Sequence, residues 1–413
     1  MAGEEQFLLK HFREHYSRHP VAGPPEISAR EFGVGAFGQK IVRRHLSFAS
    51  DEKFNFFLRE ETPFFVSYSS ALYKFPERRP MESKELLGAD LVYEFDADDL
   101  ASDCRQKHDR WKCPSCGKEG KGRQLKCDQC GSGTNVDEWF CGNCLNVAKE
   151  KVIALLDFLQ NDFGFSDGIS INFSGRAGYH VHVRSSGIRQ LPNSARIELI
   201  DYLTANNFSI FSHFKKDGAM LRGPELAGAR GWPKRILGEI SALLEKEDAE
   251  RIAVLGSITM AQARKMLSEK GMILNALKRG VLPSVFGRVS SKHESNSDLF
   301  WQNFVKSVVE KIAPIDRQTS VDINKIVRVP ETLHGETGLV ACNVPAGALS
   351  SFDPLRDAVV FGSKETVKVL IDKAPSFYLG GGNFGPFNAE RAELPVGAAV
   401  FLLGRKAAVL EGV

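Results

Sequence analysis

Residues 91–98, LVYEFDAD, set carboxylates at alternating positions, Glu94, Asp96 and Asp98. Successive side chains of a β-strand point to opposite faces, so these acids would share one face while Val92, Tyr93, Phe95 and Ala97 supply packing. Acids aimed the same way repel one another unless a cation sits among them, and Mg²⁺ or Mn²⁺ prefers such hard oxygen ligands. A strand running into an acidic, solvated turn has the same spelling, so this run does not decide alone.

A second set of candidate ligands follows directly. Seven of the eight cysteines fall between 104 and 144. The stretch CPSCGKEGKGRQLKCDQCG (113–131) holds two C-x-x-C knuckles, Cys113/Cys116 and Cys127/Cys130, each followed by Gly. Two facing knuckles supply the four soft ligands of a tetrahedral zinc site. Cys104, His108, Cys141 and Cys144 flank them and could complete a second Cys₃His site, with the ribbon nested between its halves. The pairing Cys104–His108–Cys113–Cys116 with Cys127–Cys130–Cys141–Cys144 also makes two complete sites, and spacing does not choose. Either way a closed four-ligand shell makes the zinc structural. The ribbon's Lys118, Lys121, Arg123 and Lys126 could face nucleic acid or only solvent.

The third constellation is SGRAGYHVHV (174–183). Its glycines let backbone N–H groups approach a phosphate, while Ser174 and Arg176 add donors suited to phosphoryl oxygens. His180 and His182 would share a strand face and could reach the same phosphates. Far along the chain come Asp316, Arg328 and His334. An acidic strand end, a Gly/Arg/His cradle and this distal acid and basic pair are together the parts of two-metal nucleotidyl transfer.

The elements that must position these groups read as follows. Residues 5–18 have the pattern of an amphipathic helix, and Pro20, Gly23, Pro24 and Pro25 mark a loop. REFGVGAFG (30–38), RRHLSF (43–48) and PFFVSYSSALYKFPE (63–77) suit strands and turns beside the acidic strand. Residues 145–162 have helical spacing, and 168–183 reads as strand, glycine turn, strand. Asn193 can cap a helix to about 205, and 232–312 is largely helical with breaks at Gly256, Gly271, Gly280 and Pro283. The last seventy residues suggest further strands.

With 413 residues the chain needs one large or two to three smaller domains. Its net charge of +3 means that any basic surface must be local. The charged N-terminus lacks the apolar core of a signal peptide, and no run approaches the roughly 18 apolar residues of a membrane span. The expectation is a soluble intracellular protein without a membrane partner.

In order and wording the chain resembles the small, catalytic subunit of the archaeal and eukaryotic DNA primase, the archaeal form above all. The shared features are REFG, RRH-x-SF, SYSSALY, GADLVYEFDADDL, a cysteine segment ending CGNCLNVAKE, SGRAGYHVHV, and IVRVPETLHGETGL followed by FDPLRDAVVF. They run nearly the whole length; the ribbon 113–130 and the helical stretch 232–312 carry little of it.

The resemblance implies an α/β (α+β) fold: a primase catalytic core with a mixed sheet flanked by helices (1–103, 145–231 and 313–413), a zinc-binding knob (104–144) and an inserted helical subdomain (232–312). It places the paired catalytic acids at Glu94 and Asp96, the first being Glu where the family has Asp, with Asp98 as a substitute ligand. The third acid, twelve residues before Arg328, is Asp316, with Asp322 as runner-up. Ser174, Arg176 and His180 would contact the incoming triphosphate, with Arg328 and His334 on its other side. Arg44 and His45 could line the same groove. The family's single zinc site matches Cys104, His108, Cys141 and Cys144, which favours the nested arrangement and two structural zinc ions.

The implied activity is RNA primer synthesis from nucleoside triphosphates on single-stranded DNA, using Mg²⁺ or Mn²⁺ and partnered by a large subunit. Limited extension with deoxynucleotides fits such a site, and the implied location is the cytoplasm, at the nucleoid. Two other classes share these residues: a repair or gap-filling polymerase of the same superfamily, and a zinc-ribbon nucleic-acid-binding protein whose acids no longer catalyse, prompted by the Glu at 94.

Overall fold

A computed structural model describes residues 2–100, 103–285, 296–315, 322–362 and 364–412. The chain forms a mixed α/β structure with two compact units. The first comprises Met1–Val152, Asp167–Arg196 and Gln318–Val413; the second comprises Ile153–Ser166 and Ile197–Arg317. The second unit therefore begins earlier than the helical stretch 232–312 and also takes in residues 153–166.

Eight strands frame the first unit: β1 (Phe32–Ala36), β2 (Gln39–Leu46), β3 (Phe65–Ser69), β4 (Leu91–Asp96), β5 (Ile169–Phe173), β6 (Gly178–Val183), β7 (Ile326–Arg328) and β8 (Cys342–Val344). They pair as two four-stranded sheets, in the orders β7-β3-β1-β2 and β8-β5-β6-β4. The second sheet is antiparallel throughout, and Glu94 stands directly opposite His180, which stands opposite Asn172, which stands opposite Asn343. Strand alternation then sends Tyr93, Phe95, Tyr179, Val181, Ile171 and Phe173 to the other face, where all six are buried. The polar face meets the first sheet: the His182 ring stacks on Tyr68 with centroids 5.9 Å apart, and Arg184 Nη2 donates to the Tyr68 hydroxyl at 2.9 Å.

Asp90, just before β4, anchors this frame. Its carboxylate is buried and accepts from Arg30 and Arg189 at 2.8 Å each and from Arg184 at 3.3 Å. Removing that carboxylate would take from Arg184 its carboxylate and from the fully buried Arg30 its nearest anion, Glu26 being 3.7 Å away, which is costlier than losing a surface pair.

The helix Gly142–Asn161 follows Cys141 and buries Leu145, Ala148 and Val152 at helical spacing. Near the C-terminus, the strands Thr366–Ala374, Phe387–Pro395 and Ala408–Leu410 form a further sheet, and the helix Val396–Gly404 between the last two is buried nearly all round. The second unit packs Gly231–Glu245, Ala249–Gly256, Met260–Ser268, Lys270–Lys278 and Asn296–Ile312 beside a small sheet of Lys215–Asp217, Met220–Arg222 and Val281–Leu282. Its helix starts follow their sequence signals: Thr259 and Gln262 form a capping box, and Asp248 caps through Arg251 N.

Candidate active site

Glu94 and Asp96 emerge from the end of β4 on the polar face of the second sheet. Asp96 reaches solvent, yet its carboxyl is raised above the usual value, first by the protein crowded around it and then by the negative charges of Glu94, Asp98 and Asp99. Such mutual repulsion is what a divalent cation between carboxylates relieves, so the donor set fits Mg²⁺ or Mn²⁺ at these two acids. Asp316 lies outside the described residues. Asp322, the runner-up, turns its carboxylate to the backbone N–H of Asn324 at 2.8 Å and caps its own turn.

Asp98 departs from the expected pattern. The strand stops at Asp96, whose carbonyl accepts from the N–H of Asp99 at 3.0 Å in a turn, so the period of two no longer applies one residue on. Asp98 instead holds the guanidinium of Arg176. A pairing cation leaves that carboxylate serving the cradle rather than the acidic pair.

Gly178 is directly opposite Asp96. A Cβ at this position would lie 2.3 Å from Asp96 Oδ1 and 2.5 Å from the Phe95 carbonyl, so only glycine leaves that carboxylate its place. In the same turn, Ser174 Oγ accepts from the N–H groups of Arg176 (3.4 Å) and Gly178 (3.2 Å). Those two amides therefore close the turn instead of pointing at a phosphate.

His180 is buried and faces Glu94, with Nε2 at 3.7 Å from Oε1. Burial depresses its pKa, opposed by the charges of Glu94 and Asp96. Lys325, just before β7, pairs with the other Glu94 oxygen. It was not singled out in the sequence, where it is one lysine in VDINKIVRVP. Asn172 was also missed: it is 1% exposed and neither atom of its amide has a hydrogen-bond partner. The alternation of ISINF, which puts Asn172 on the polar face with Ser170, was the available signal. His182, by contrast, is fully buried against Tyr68 and belongs to the core.

Arg328 projects from β7 beside Phe65, with its guanidinium 5.1 Å from the ring centroid. Its Nη1 reaches the Val66 carbonyl at 3.4 Å, Nε has no partner, and among the described residues no carboxylate makes a salt bridge to it. Burial lowers its pKa to about 10. His334 stands edge-on to the same Phe65 ring at 5.2 Å, and its Nδ1 accepts from Glu336 N at 3.2 Å, which places the proton on Nε2. Its pKa is held far below the ordinary value by burial first and then by Arg328, Arg176, Lys40 and Arg405. Thr337 Oγ1 donates to the Gly175 carbonyl at 2.5 Å, and a Cβ on Gly175 would lie 2.9 Å from the His334 Cβ. The SGRAG turn and the HGETGL turn thus form one surface. Arg44 and His45 do not open onto it freely: both are drawn to the buried Glu31, at 2.9 and 3.4 Å.

The cysteines separate into two groups, Cys104–His108–Cys141–Cys144 and Cys113–Cys116–Cys127–Cys130, with the ligand atoms of each within 4.8 Å of one another. Each group can hold a metal ion and suits zinc in its donors. The grouping is nested, and the second pairing that spacing allowed is not the one formed. His108 Nε2 faces Cys144 Sγ at 3.1 Å while Nδ1 meets Asp109 at 2.8 Å, the carboxylate–histidine arrangement common behind metal ligands. The Cys144 thiol, by hydrogen bonding, lowers Cys141 to about 3 and is itself raised by the same contact. In the ribbon, Gly117 and Gly131 adopt φ of 76° and 72° and donate to the carbonyls of Cys113 and Cys127, which closes both knuckles identically. Only Trp111, Cys113 and Cys127 form the ribbon's buried cluster, far too little to fold without a ligand.

Comparison with known proteins decides the family. A profile of the DNA primase small subunit matches residues 134–345. The chain is 31% identical to the DNA primase small subunit PriS of Methanothrix thermoacetophila, covering 97% of each chain. The chain belongs to the archaeal DNA primase small subunit family. PriS of Cenarchaeum symbiosum is 30% identical over 95% of this chain and 94% of its own, and that of Halobacterium salinarum 28% over 86% and 84%. Family membership carries a primase role and a polymerase-type nucleotidyltransferase activity. Among the described residues no helix is long and apolar enough to cross a membrane.

Proposed function

We propose that this primase small subunit joins nucleoside triphosphates into a short RNA primer on single-stranded DNA by two-metal nucleotidyl transfer. One observation carries the reading: a half-buried Arg328 whose Nε is unpartnered and which has no salt bridge among the described residues shares a wall with a buried His334 whose Nε2 proton is available, while Glu94 and Asp96 stand on the facing sheet. A partly desolvated guanidinium without a carboxylate offers an anion a ready partner, and a triphosphate is such an anion.

Glu94 and Asp96, with Asp316, would hold the divalent cations. Bound there, such cations lower the pKa of a 3′-hydroxyl and offset the charge of departing pyrophosphate. The chain's own groups do the positioning. Arg328 and His334 take the triphosphate oxygens, His180 and Lys325 fix Glu94, and Arg176 reaches the phosphates by exchanging Asp98 or Glu336 for them. The two cysteine groups brace the segment after β4 with zinc. A large subunit helps start synthesis, extension with deoxynucleotides is a secondary activity, and the protein works in the cytoplasm at the nucleoid.

Purified protein, with its large subunit, should make primers on an unprimed template; a requirement for a pre-existing 3′ end would favour the gap-filling polymerase instead. A second reading, nucleic-acid binding without catalysis, draws on Glu94, which is already paired with Lys325. Asp96→Ala separates it: incorporation should drop to background while DNA binding persists, and undiminished synthesis would remove the assignment.

A further inference from the structure

The ribbon is inserted where the family resemblance is weakest, and it builds a surface the catalytic reading does not use. Its three strands, Glu119–Lys121, Arg110–Lys112 and Asn135–Asp137, pair with Lys121 and Asp137 opposite Arg110, and Glu119 and Asn135 opposite Lys112. Alternation puts Trp111 and Val136 on the face that carries the small ribbon core, and Arg110, Lys112 and Lys121 on the other. That charged face looks across a groove of about 590 Å³ to Lys373, Arg405 and Lys406 of the C-terminal segment.

Six cations against Glu119, Asp137 and Asp372 leave the groove a net +3, equal to the formal charge of the entire chain. Lys373 pairs with Glu119 at 2.6 Å, but Arg110, Lys112, Lys121 and Lys406 make no salt bridge among the described residues. At the floor lies Trp139, 3% exposed, whose Nε1 has no hydrogen-bond partner. The Arg405 guanidinium lies 4.3 Å from its ring centroid. Trp139 is thus a buried support for Arg405, and the basic lining above it is what can hold the backbone of a flexible polyanion. Arg123 of the ribbon donates from Nη1 to the Asp98 carbonyl at 2.9 Å, and the Asp98 carboxylate holds Arg176, so the ribbon adjoins the candidate nucleotide cradle.

We propose that this groove binds the sugar–phosphate backbone of single-stranded DNA entering or leaving the active site. The choice of DNA rests on the primase reading above; the anion chemistry does not. An acidic protein segment could meet the same charges, but the ribbon's place beside the cradle favours a strand that must pass there.

The test is fluorescence-anisotropy binding of a labelled oligodeoxythymidine to the full chain, without nucleotides or divalent ions, over a range of salt. Lys112→Glu/Lys121→Glu should weaken binding and make log Kd less steep in log salt by about 1.4, at about 0.7 for each phosphate no longer neutralised. Lys10→Glu/Lys53→Glu, which changes net charge equally outside the groove, should leave the slope at its wild-type value. Equal slopes for the two double variants would overturn the proposal, and so would displacement of DNA by polyglutamate of matched charge as readily as by unlabelled DNA. Should the ribbon variant lose metal, Lys406→Asn tests the opposite wall at a residue whose φ of 60° asparagine accepts. An Asp96→Ala protein that still synthesises would sink the catalytic reading and leave this binding result standing.

Discussion

Thr337 Oγ1 donates to the carbonyl oxygen of Gly175 and so joins two turns that are 162 residues apart in sequence. Because one turn carries Arg176 and the other His334, this bond sets the spacing of two residues proposed to contact the triphosphate. Thr337→Val should cost about 1 kcal/mol of stability, and it should raise KM for the nucleotide more than it lowers kcat. Steady-state incorporation on a primed template measures the split; an unchanged KM would mean that the turns hold without the bond.

Gly178→Ala should impair incorporation severely, because the added methyl takes the space of Asp96 Oδ1. Thermal unfolding and nucleotide incorporation, measured together, check this. A variant of wild-type activity would show that Asp96 does not need its observed position.

Lys325 is paired with Glu94, so in the proposed metal site it would compete with the divalent cation for that carboxylate. Lys325→Met should therefore lower the Mn²⁺ concentration that gives half-maximal activity. A rise in that concentration would instead mean that the lysine helps to build the metal site.

Metal analysis should find two zinc ions per chain. In the nested arrangement Cys116 and Cys130 serve one site, so Cys116→Ser/Cys130→Ser should lose one zinc and keep the other. Loss of both, with the fold intact by circular dichroism, would favour the pairing that splits these cysteines between sites.

His15 stacks on His19 with centroids 4.7 Å apart, and burial lowers its pKa to about 4. The unfolded chain protonates the same imidazole near 6.5, so between the two values the unfolded state binds more protons. Stability should fall as pH drops from 6.5 toward 4, and this group should add nothing further below 4. Urea unfolding across that window should show a shallower decline for His15→Gln; an identical decline would reassign the acid sensitivity to other groups.

The acidic strand, the hairpin after it and the helix following Cys141 were legible because each is written in local periodicity. The pairing of Asp98 with Arg176 was not legible in the same way, because the backbone turns after Asp96, whose carbonyl accepts from Asp99 N, and alternation does not describe a turn. Periodicity assigned His182 to the correct face but could not say that Tyr68 covers it. Lys325 and Asn172 owe their roles to neighbours brought by another strand or sheet, which no local pattern records. Spacing left two cysteine pairings equal, and only the folded ribbon separates them. The expected third acid, Asp316, falls outside the described residues.

Lys112 and Asn135 stand opposite each other in antiparallel strands, so the chain departs into the ribbon and comes back at almost the same point. Adjacent strands lie about 4.8 Å apart, a gap that a tight turn can close. The whole excursion is therefore a modular appendage: it can be lengthened, trimmed or exchanged over evolutionary time without re-threading the polypeptide that carries the outer cysteines.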